Sequence, residues 1–478
     1  MNEMVVRLLF LLNNDNSRFT LFIKIDIIVL IQGWWKGGFY VLLEVENLGI
    51  VEQATIKVNH ITVIAGCNST GKSTLSKALY SLLLPFNDYE KKVNYERTKS
   101  INYRIRTFLK EKELSSLFLK SIDNLYRKIY SYYKKHKEML SKEEFYELLE
   151  HLLKEDDLVA GYQNDDKEFY EKESMKLYSH LAELYDIIQS TVEKNNKEFN
   201  HRILELTHKT ILGNLSKQNN KMCLLSLKEA EREICKVKND LRNGIVEIFS
   251  TKTTNVPYIA VNVIYIENSS IIDELNNRIG FEEQSKNIYG NNLLDLLKLE
   301  KQSNVELSEE EQQERELFIK KYEEIFENIL HGKLVVDNYK YYFKSFDDKK
   351  MIDVRQLSSG MKCLLVIQRL IYNGSLNKNT VLIIDEPETN LHPEWQIFFA
   401  EILVRLSKDL DIKIIINSHS PYFVRAIEVM MAHNMITDKG NYYLMVSNGE
   451  QMFRAENVTT HIDEIYKYLY RPLDELVN

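Results

Sequence analysis

Cysteine is scarce in this 478-residue chain: Cys67, Cys223, Cys235 and Cys363 are scattered, and no two form a C-x-x-C pair. That spacing indicates neither a disulfide framework nor a thiolate zinc site, and a reducing cytoplasm is the expected compartment. An excess of basic residues is missing as well. Lys and Arg number 62 against 70 Asp and Glu, a formal charge of -8, which argues against bulk attraction to nucleic acid while leaving room for a local basic face. Long apolar runs are also lacking. The strongest, "FTLFIKIDIIVLI", is broken by Lys24 and Asp26 and is too short to cross roughly 30 Å of hydrocarbon. No small-residue cleavage site follows it, only the bulky "GWWKGGFY", so a signal peptide is not indicated. Lys36-Gly37-Gly38 can be encoded as AAA-GGA-GGT, a bacterial ribosome-binding sequence, and Val41 as a GTG start. Residues 1–40 are therefore expected to be an upstream over-read of the gene, outside the fold; an intact mass of the natively expressed protein beginning at Met1 or Asn2 would refute this.

Glycine and proline nearly vanish between residues 87 and 250. There Lys, Glu, Leu and Tyr recur at helical spacing, as in "EEFYELLEHLLKE" and "MKLYSHLAELYDIIQ", without a sustained heptad, which predicts a helical arm or bundle rather than one long coiled coil. On either side lies a different pattern. "VLLEVENLG" and "EQATIKVN" alternate like antiparallel strands, and "HITVIAG" is an apolar run that ends in glycine, as a buried strand feeding a loop should. After 250 the chain reads as strand "PYIAVNVIYIEN", a helical stretch near 292–331, strands "KLVVDN", "KYYFKS" and "MIDVRQ", then helix 360–373. Strand "TVLIIDEP", helix "PEWQIFFAEILVRLSK", strand "IKIIINSHS", helix "PYFVRAIEVMMAH" and strand "YYLMVS" complete it. Repeated β-α alternation implies an α/β fold with a mainly parallel sheet. The expected division is 41–86 and 251–478 as two parts of one domain, with 87–250 inserted between them.

The chemistry begins at "GCNSTGKS", Gly66 to Ser73, which satisfies G-x-x-x-x-G-K-[ST] between a strand and a helix. Backbone N–H groups of such a loop wrap phosphates, Lys72 neutralises the β and γ charges, and the Ser73 hydroxyl ligates Mg²⁺. Candidate ATP contacts are Gly66, Asn68, Ser69, Thr70, Gly71, Lys72, Ser73 and Thr74; the alternative is an ordinary glycine turn. "VLIIDEP" at 381–387 adds a buried strand ending in Asp385, which can hold the metal through water. Glu386 follows, placed to polarise a water for in-line attack. A second strand, "IIINSHSP", ends in His419, which is expected to hydrogen-bond the γ-phosphate or else to be a loop histidine. "RQLSSGMK" places Ser358, Ser359 and Gly360 just before an apolar helix, where free N–H groups suit a phosphate or Ser358 or Ser359 merely caps the helix.

With these residues in view, "LSSGM" resembles the signature motif of the ABC-type ATPases, ahead of "IIDEP" at their usual separation. The resemblance implies an ABC-type P-loop ATPase with a mixed, mainly parallel sheet core, an antiparallel β subdomain and a large α-helical insertion. It also implies that Ser358, Ser359 and Gly360 bind the γ-phosphate held by a second copy, in a head-to-tail dimer or higher oligomer. "DEPETNLHPEWQ" and "NSHSPYF" resemble the overcoming-lysogenisation-defect, RecF and SMC-related branch. In overall plan, including the closing "VTTHIDEIYKYLYRPLDEL", the chain is similar to the PtuA ATPases of Septu and retron-associated anti-phage systems. The resemblance implies ATP, Mg²⁺ and a separately encoded HNH nuclease of the PtuB type. Ser69 and Met361 depart from the family pattern, and no glutamine stands where its magnesium-contacting Gln would lie; Glu267 is the substitute candidate. No H-N-H constellation is present, and about sixty residues follow His419, too few for a Toprim nuclease domain. Rival readings are a RecF-type repair ATPase, a defence sensor with a Toprim partner, a transport motor and a non-hydrolysing nucleotide-gated scaffold. "YRKIYSYYKKHK" at 126–137 is read either as a nucleic-acid surface or as a solvated helix with inward tyrosines.

Overall fold

The computed structural model describes residues 40–114, 118–136, 140–155, 172–192, 223–229, 232–240, 245–250, 262–267, 269–276, 292–299, 309–338, 340–347, 350–449 and 451–477. The over-read expectation falls on residues outside these, except at residue 40. β1 (Val41–Leu48) and β2 (Val51–Val58) form the antiparallel hairpin that their alternation predicts, and β3 (Ile61–Ala65) is buried along its whole length. Helix α1 (Lys72–Leu83) follows the phosphate-loop sequence directly. Among the described residues the main sheet has eleven strands. Its parallel half runs, in order, through β13 (Gly440–Ser447), β3, β12 (Lys413–Ser418), β11 (Thr380–Asp385) and β7 (Asn262–Ile266). β14 (Phe453–Asn457) joins this half to β2, antiparallel to β13 and parallel to β2.

Both faces of the parallel half are covered, which is why its strands read as continuous apolar runs. Leu382, Ile384, Ile414 and Ile416 enter one core with helices at 359–372, 393–410 and 421–433, while Val381, Ile383 and Ile415 enter the other with α1. The phosphate-loop helix therefore packs on the opposite face from the helix that begins with the Ser-Gly signature. A small antiparallel sheet, β8 (Gly332–Asp337), β9 (Lys340–Ser345) and β10 (Met351–Asp353), leads into that signature helix. The expected α/β class, mixed sheet and antiparallel subdomain are all present.

The 87–250 stretch differs from expectation at its end. Helices at 89–111, 119–136, 142–155 and 181–192 share a separate core built on Ile105, Phe108, Ile122, Phe145, Leu149 and Ile188. Residues 223–250 instead form β4 (Cys223–Glu229), β5 (Arg232–Asp240) and β6 (Ile245–Ser250), which extend the antiparallel half beyond β1. Leu225 and Leu227 alternate inward beside Val45 and Leu43 of β1, so period-two burial wins over the helix-like composition around it. Cys223, Cys235 and Cys363 are buried free thiols whose pKa burial pushes up to about 12; none of the four cysteines is disulfide-bonded.

In the tyrosine-rich helix, Tyr126 is buried and stacks on Tyr130 at 6.0 Å between centroids, and the Arg97 guanidinium lies 4.9 Å from the Tyr130 ring. Arg127 and Lys128 face outward, Arg127 in an ion pair with Asp123. Tyr126 is therefore core, and the base-stacking expectation does not hold for it. Among the described residues no helix is long and apolar enough to cross a membrane.

Candidate nucleotide site

Register on the parallel half sets the chemistry side by side. Ser418 of β12 pairs with Ala65 of β3, Asn417 with Asp385 of β11, and Ile384 with Ile266 of β7. The phosphate loop, His419, Glu386 and Glu267 consequently leave the sheet in one row at the carboxyl ends of four strands, where ligands of open α/β sheets sit.

The loop closes on itself around its lysine. The Gly66 amide donates to Ser418 O at 3.3 Å, and Thr70 Oγ1 donates to Cys67 O at 2.9 Å. Gly71 lies at φ +95°, and a Cβ there would stand 2.6 Å from Val51 Cγ2, so both backbone and space demand glycine. No side chain caps α1 at Gly71, which leaves its first N–H groups for an anion. Lys72 is buried, with Nζ donating to Gly66 O at 2.9 Å and Cys67 O at 2.6 Å. Burial lowers its pKa, while Glu386, Asp385 and Glu388, in that order, oppose the shift. The lysine thus stands within the field of all three carboxylates. Asn68 and Ser69 are exposed on the loop, Ser69 at φ 60°, and Ser73 and Thr74 are half-buried in the first turn of α1.

Asp385 is held from two sides. Tyr265 OH donates to its Oδ2 at 3.1 Å and Asn417 Nδ2 to its Oδ1 at 3.0 Å, while Ser76 Oγ on α1 donates to Asn417 Oδ1 at 3.0 Å. Burial first, and then the Asp385 charge, drives the Tyr265 pKa far above the ordinary phenol value, so it remains a donor. Glu386 takes a left-handed backbone at φ 48°, its amide bonded to Asn417 O at 2.9 Å, and its half-exposed carboxylate reaches His419: Oε1 to Nδ1 is 3.5 Å. A left-handed glutamate is a strained placement of the kind found where a side chain must be aimed. Glu267 pairs with Lys77 of α1 at 2.5 Å, which sets it beside the phosphate-loop helix.

The signature residues are apart from this row. Ser358 Oγ accepts from Met361 N at 3.3 Å, so the capping role is real, yet Ser358 and Ser359 remain exposed. Gly360 is buried, and a Cβ there would lie 3.1 Å from Leu391 Cδ2 and 3.2 Å from Asn390 O. Lys362 bonds Asp273 at 2.8 Å and Arg355 O at 3.3 Å, fixing the turn from behind. Arg355 grips Asp353 through two bonds of 2.9 and 2.7 Å, holding that carboxyl down at about 2. Among the described residues no hydrogen bond joins residues 66–74 to 358–360. Residues that sequence reading gave no role but the row recruits are Ser76, Tyr265, Glu388 and Asn417; Asn417 lies just before "SHSP", and Glu388 inside "DEPET".

A family model described as an AAA ATPase domain matches residues 42–424, from β1 through the phosphate loop and Asp385 to the 421–433 helix. The chain belongs to that ATPase family. Solved structures to which it is similar include the SMC head domain from Thermotoga maritima, at 10% identity and TM-score 0.36, covering 88% of this chain and 98% of that one. Another is an SmcHead bound to the C-winged helix domain of ScpA, at 10% identity and TM-score 0.41, with 89% and 99% covered. A third is the Smc head domain with an extended coiled coil bound to the C-terminal domain of ScpA, derived from Pyrococcus furiosus, at 10% identity and TM-score 0.39, with 92% and 100% covered. No curated protein matches the chain.

Proposed function

We propose that the protein is an ABC-type ATP phosphohydrolase in which each nucleotide is completed by a second copy of the chain. The observation that carries this reading is the row of Lys72, Asp385, Glu386 and His419 on adjoining strand ends, with exposed Ser358 and Ser359 bonded to none of the phosphate loop. In this reading the uncapped start of α1 and Lys72 take the β- and γ-phosphates. Ser73 and, through water, Asp385 suit Mg²⁺: Ser73 is half-buried in the first turn of α1, and Asp385 is oriented by Tyr265 and Asn417. A metal held there would neutralise phosphate charge.

Glu386 orients the attacking water, His419 bonds the γ-phosphate, and Ser359 and Gly360 of a second copy supply N–H donors from the far side. Phosphate release should fall about a hundredfold or more in Glu386→Gln, the usual scale for removing a general base, with ATP binding retained. Equal, negligible release by wild type and variant while ATP still binds would make the protein a nucleotide-gated scaffold instead.

The output we assign is control of a separately encoded HNH nuclease in anti-phage defence. It is supported by the likeness in overall plan to the PtuA ATPases, including the "SPYFVRAIE" helix and the closing "VTTHIDEIYKYLYRPLDEL". Slow turnover suits such a controller, because the useful signal is the difference between nucleotide-bound states. Affinity capture with mass spectrometry, from a host carrying the intact operon with and without ATP, should recover an HNH protein in a nucleotide-dependent ratio. Recovery of replication or repair proteins instead would favour a RecF-type role.

A further inference from the structure

Glu388 has no task in the reading above, yet it is only 5% exposed. Three donors converge on one of its oxygens: Oε1 accepts from Ser418 Oγ at 2.8 Å, His419 N at 2.9 Å and Ser420 N at 3.1 Å. Those donors span the passage from β12 into helix 421–433, whose first turn Ser420 caps at Phe423 N while also bonding Gln396. The other oxygen, Oε2, is buried with no hydrogen-bond partner among the described residues, and His419 Nδ1 lies 3.4 Å from Oε1 without hydrogen-bonding it. Burial raises the acid's pKa. A buried carboxyl with an unmet oxygen is a poor choice for stability alone, since desolvation works against it. What the geometry does supply is a fixed distance between two turns: the one carrying Glu386 and the one carrying His419.

We infer that Glu388 is a positioning residue: through Oε1 it fastens the 418–420 turn to the turn after β11 and so holds the His419 imidazole against the Glu386 carboxylate. The inference rests on the proposed roles of Glu386 and His419. Its effect should appear mainly in the chemical step, because Lys72 Nζ is held by Gly66 O and Cys67 O rather than by Glu388, and the loop meets the clamped turn only through the backbone bond from Gly66 N to Ser418 O.

Steady-state kinetics on Glu388→Ala should show kcat lowered by about tenfold to a hundredfold, the scale of a misplaced catalytic group, with KM changed by less than about threefold. Glu388→Gln, whose amide oxygen can accept the same three bonds, should keep kcat within about threefold of wild type. Unchanged kcat in the alanine variant overturns the inference, as does an equal loss in the glutamine variant, which would mean that charge rather than acceptor geometry matters. Should the alanine variant fail to fold, Ser418→Ala removes one of the three donors, and an unaltered kcat there is equally fatal. A second readout does not need turnover. In protein labelled with ¹³Cε1-histidine, the His419 signal, assigned by its loss in His419→Asn, should move in Glu388→Ala and stay in Glu388→Gln. A stationary signal in the alanine variant overturns the clamp whether or not the enzyme turns over. A moved signal in a protein whose wild type is inert supports the clamp and refutes hydrolysis.

Discussion

Replacing Lys72 by methionine should weaken ATP binding by about a hundredfold or more and leave the fold intact. Methionine is unbranched and only one atom shorter, so the space that the buried side chain occupies stays largely filled; the charge and its hydrogen bonds are lost. Nζ donates to Gly66 O and Cys67 O, and bound phosphate would exchange these neutral acceptors for charged ones. Hydrogen bonds to charged groups contribute roughly 1.5–3 kcal/mol each against about 1 for neutral ones, so two exchanged bonds give about 1–4 kcal/mol. Loss of the cation adds to this, because Glu386, Asp385 and Glu388 all act on Lys72 and would then confront the triphosphate uncompensated. Direct titration with a fluorescent ATP analogue, beside circular-dichroism melting of both proteins, checks the expectation. Wild-type affinity in the methionine variant would remove the loop from nucleotide binding altogether.

What could be read from sequence was local. The phosphate loop, the Asp385 strand and the His419 strand announce themselves because each is a buried strand followed at once by polar residues, and the register then does the rest. Strands β4–β6 were missed because their alternation is short and lies beside long helical stretches, so only pairing with β1 reveals which period governs. Glu388 was invisible for another reason. Its burial depends on three donors about thirty residues away at 418–420, and a lone glutamate in a turn looks solvated. Tyr126 shows the converse: basic and aromatic residues in sequence do not reveal which side of the helix faces water, and packing with Tyr130 decides it.

A cis site and a shared site differ sharply in a mixing experiment. Ser359 is exposed at the first helical position after its Ser358 cap, so Ser359→Glu places a negative charge where the helix dipole tolerates it, at a gain of about 0.3–1 kcal/mol. The same charge would repel a γ-phosphate presented by another copy. Lys72→Met and Ser359→Glu should each be inactive alone. If loop and signature meet across a head-to-tail interface, a mixed dimer holds one doubly damaged site and one wholly intact site. With free exchange half the dimers are mixed, so an equimolar mixture should recover about a quarter of wild-type phosphate release. If the signature serves its own chain, no combination contains an intact site, and the mixture stays silent. Subunit exchange is verified separately by energy transfer between labelled copies. Silence in an exchanging mixture would therefore place the 358–360 turn outside the partner's nucleotide and refute the shared site.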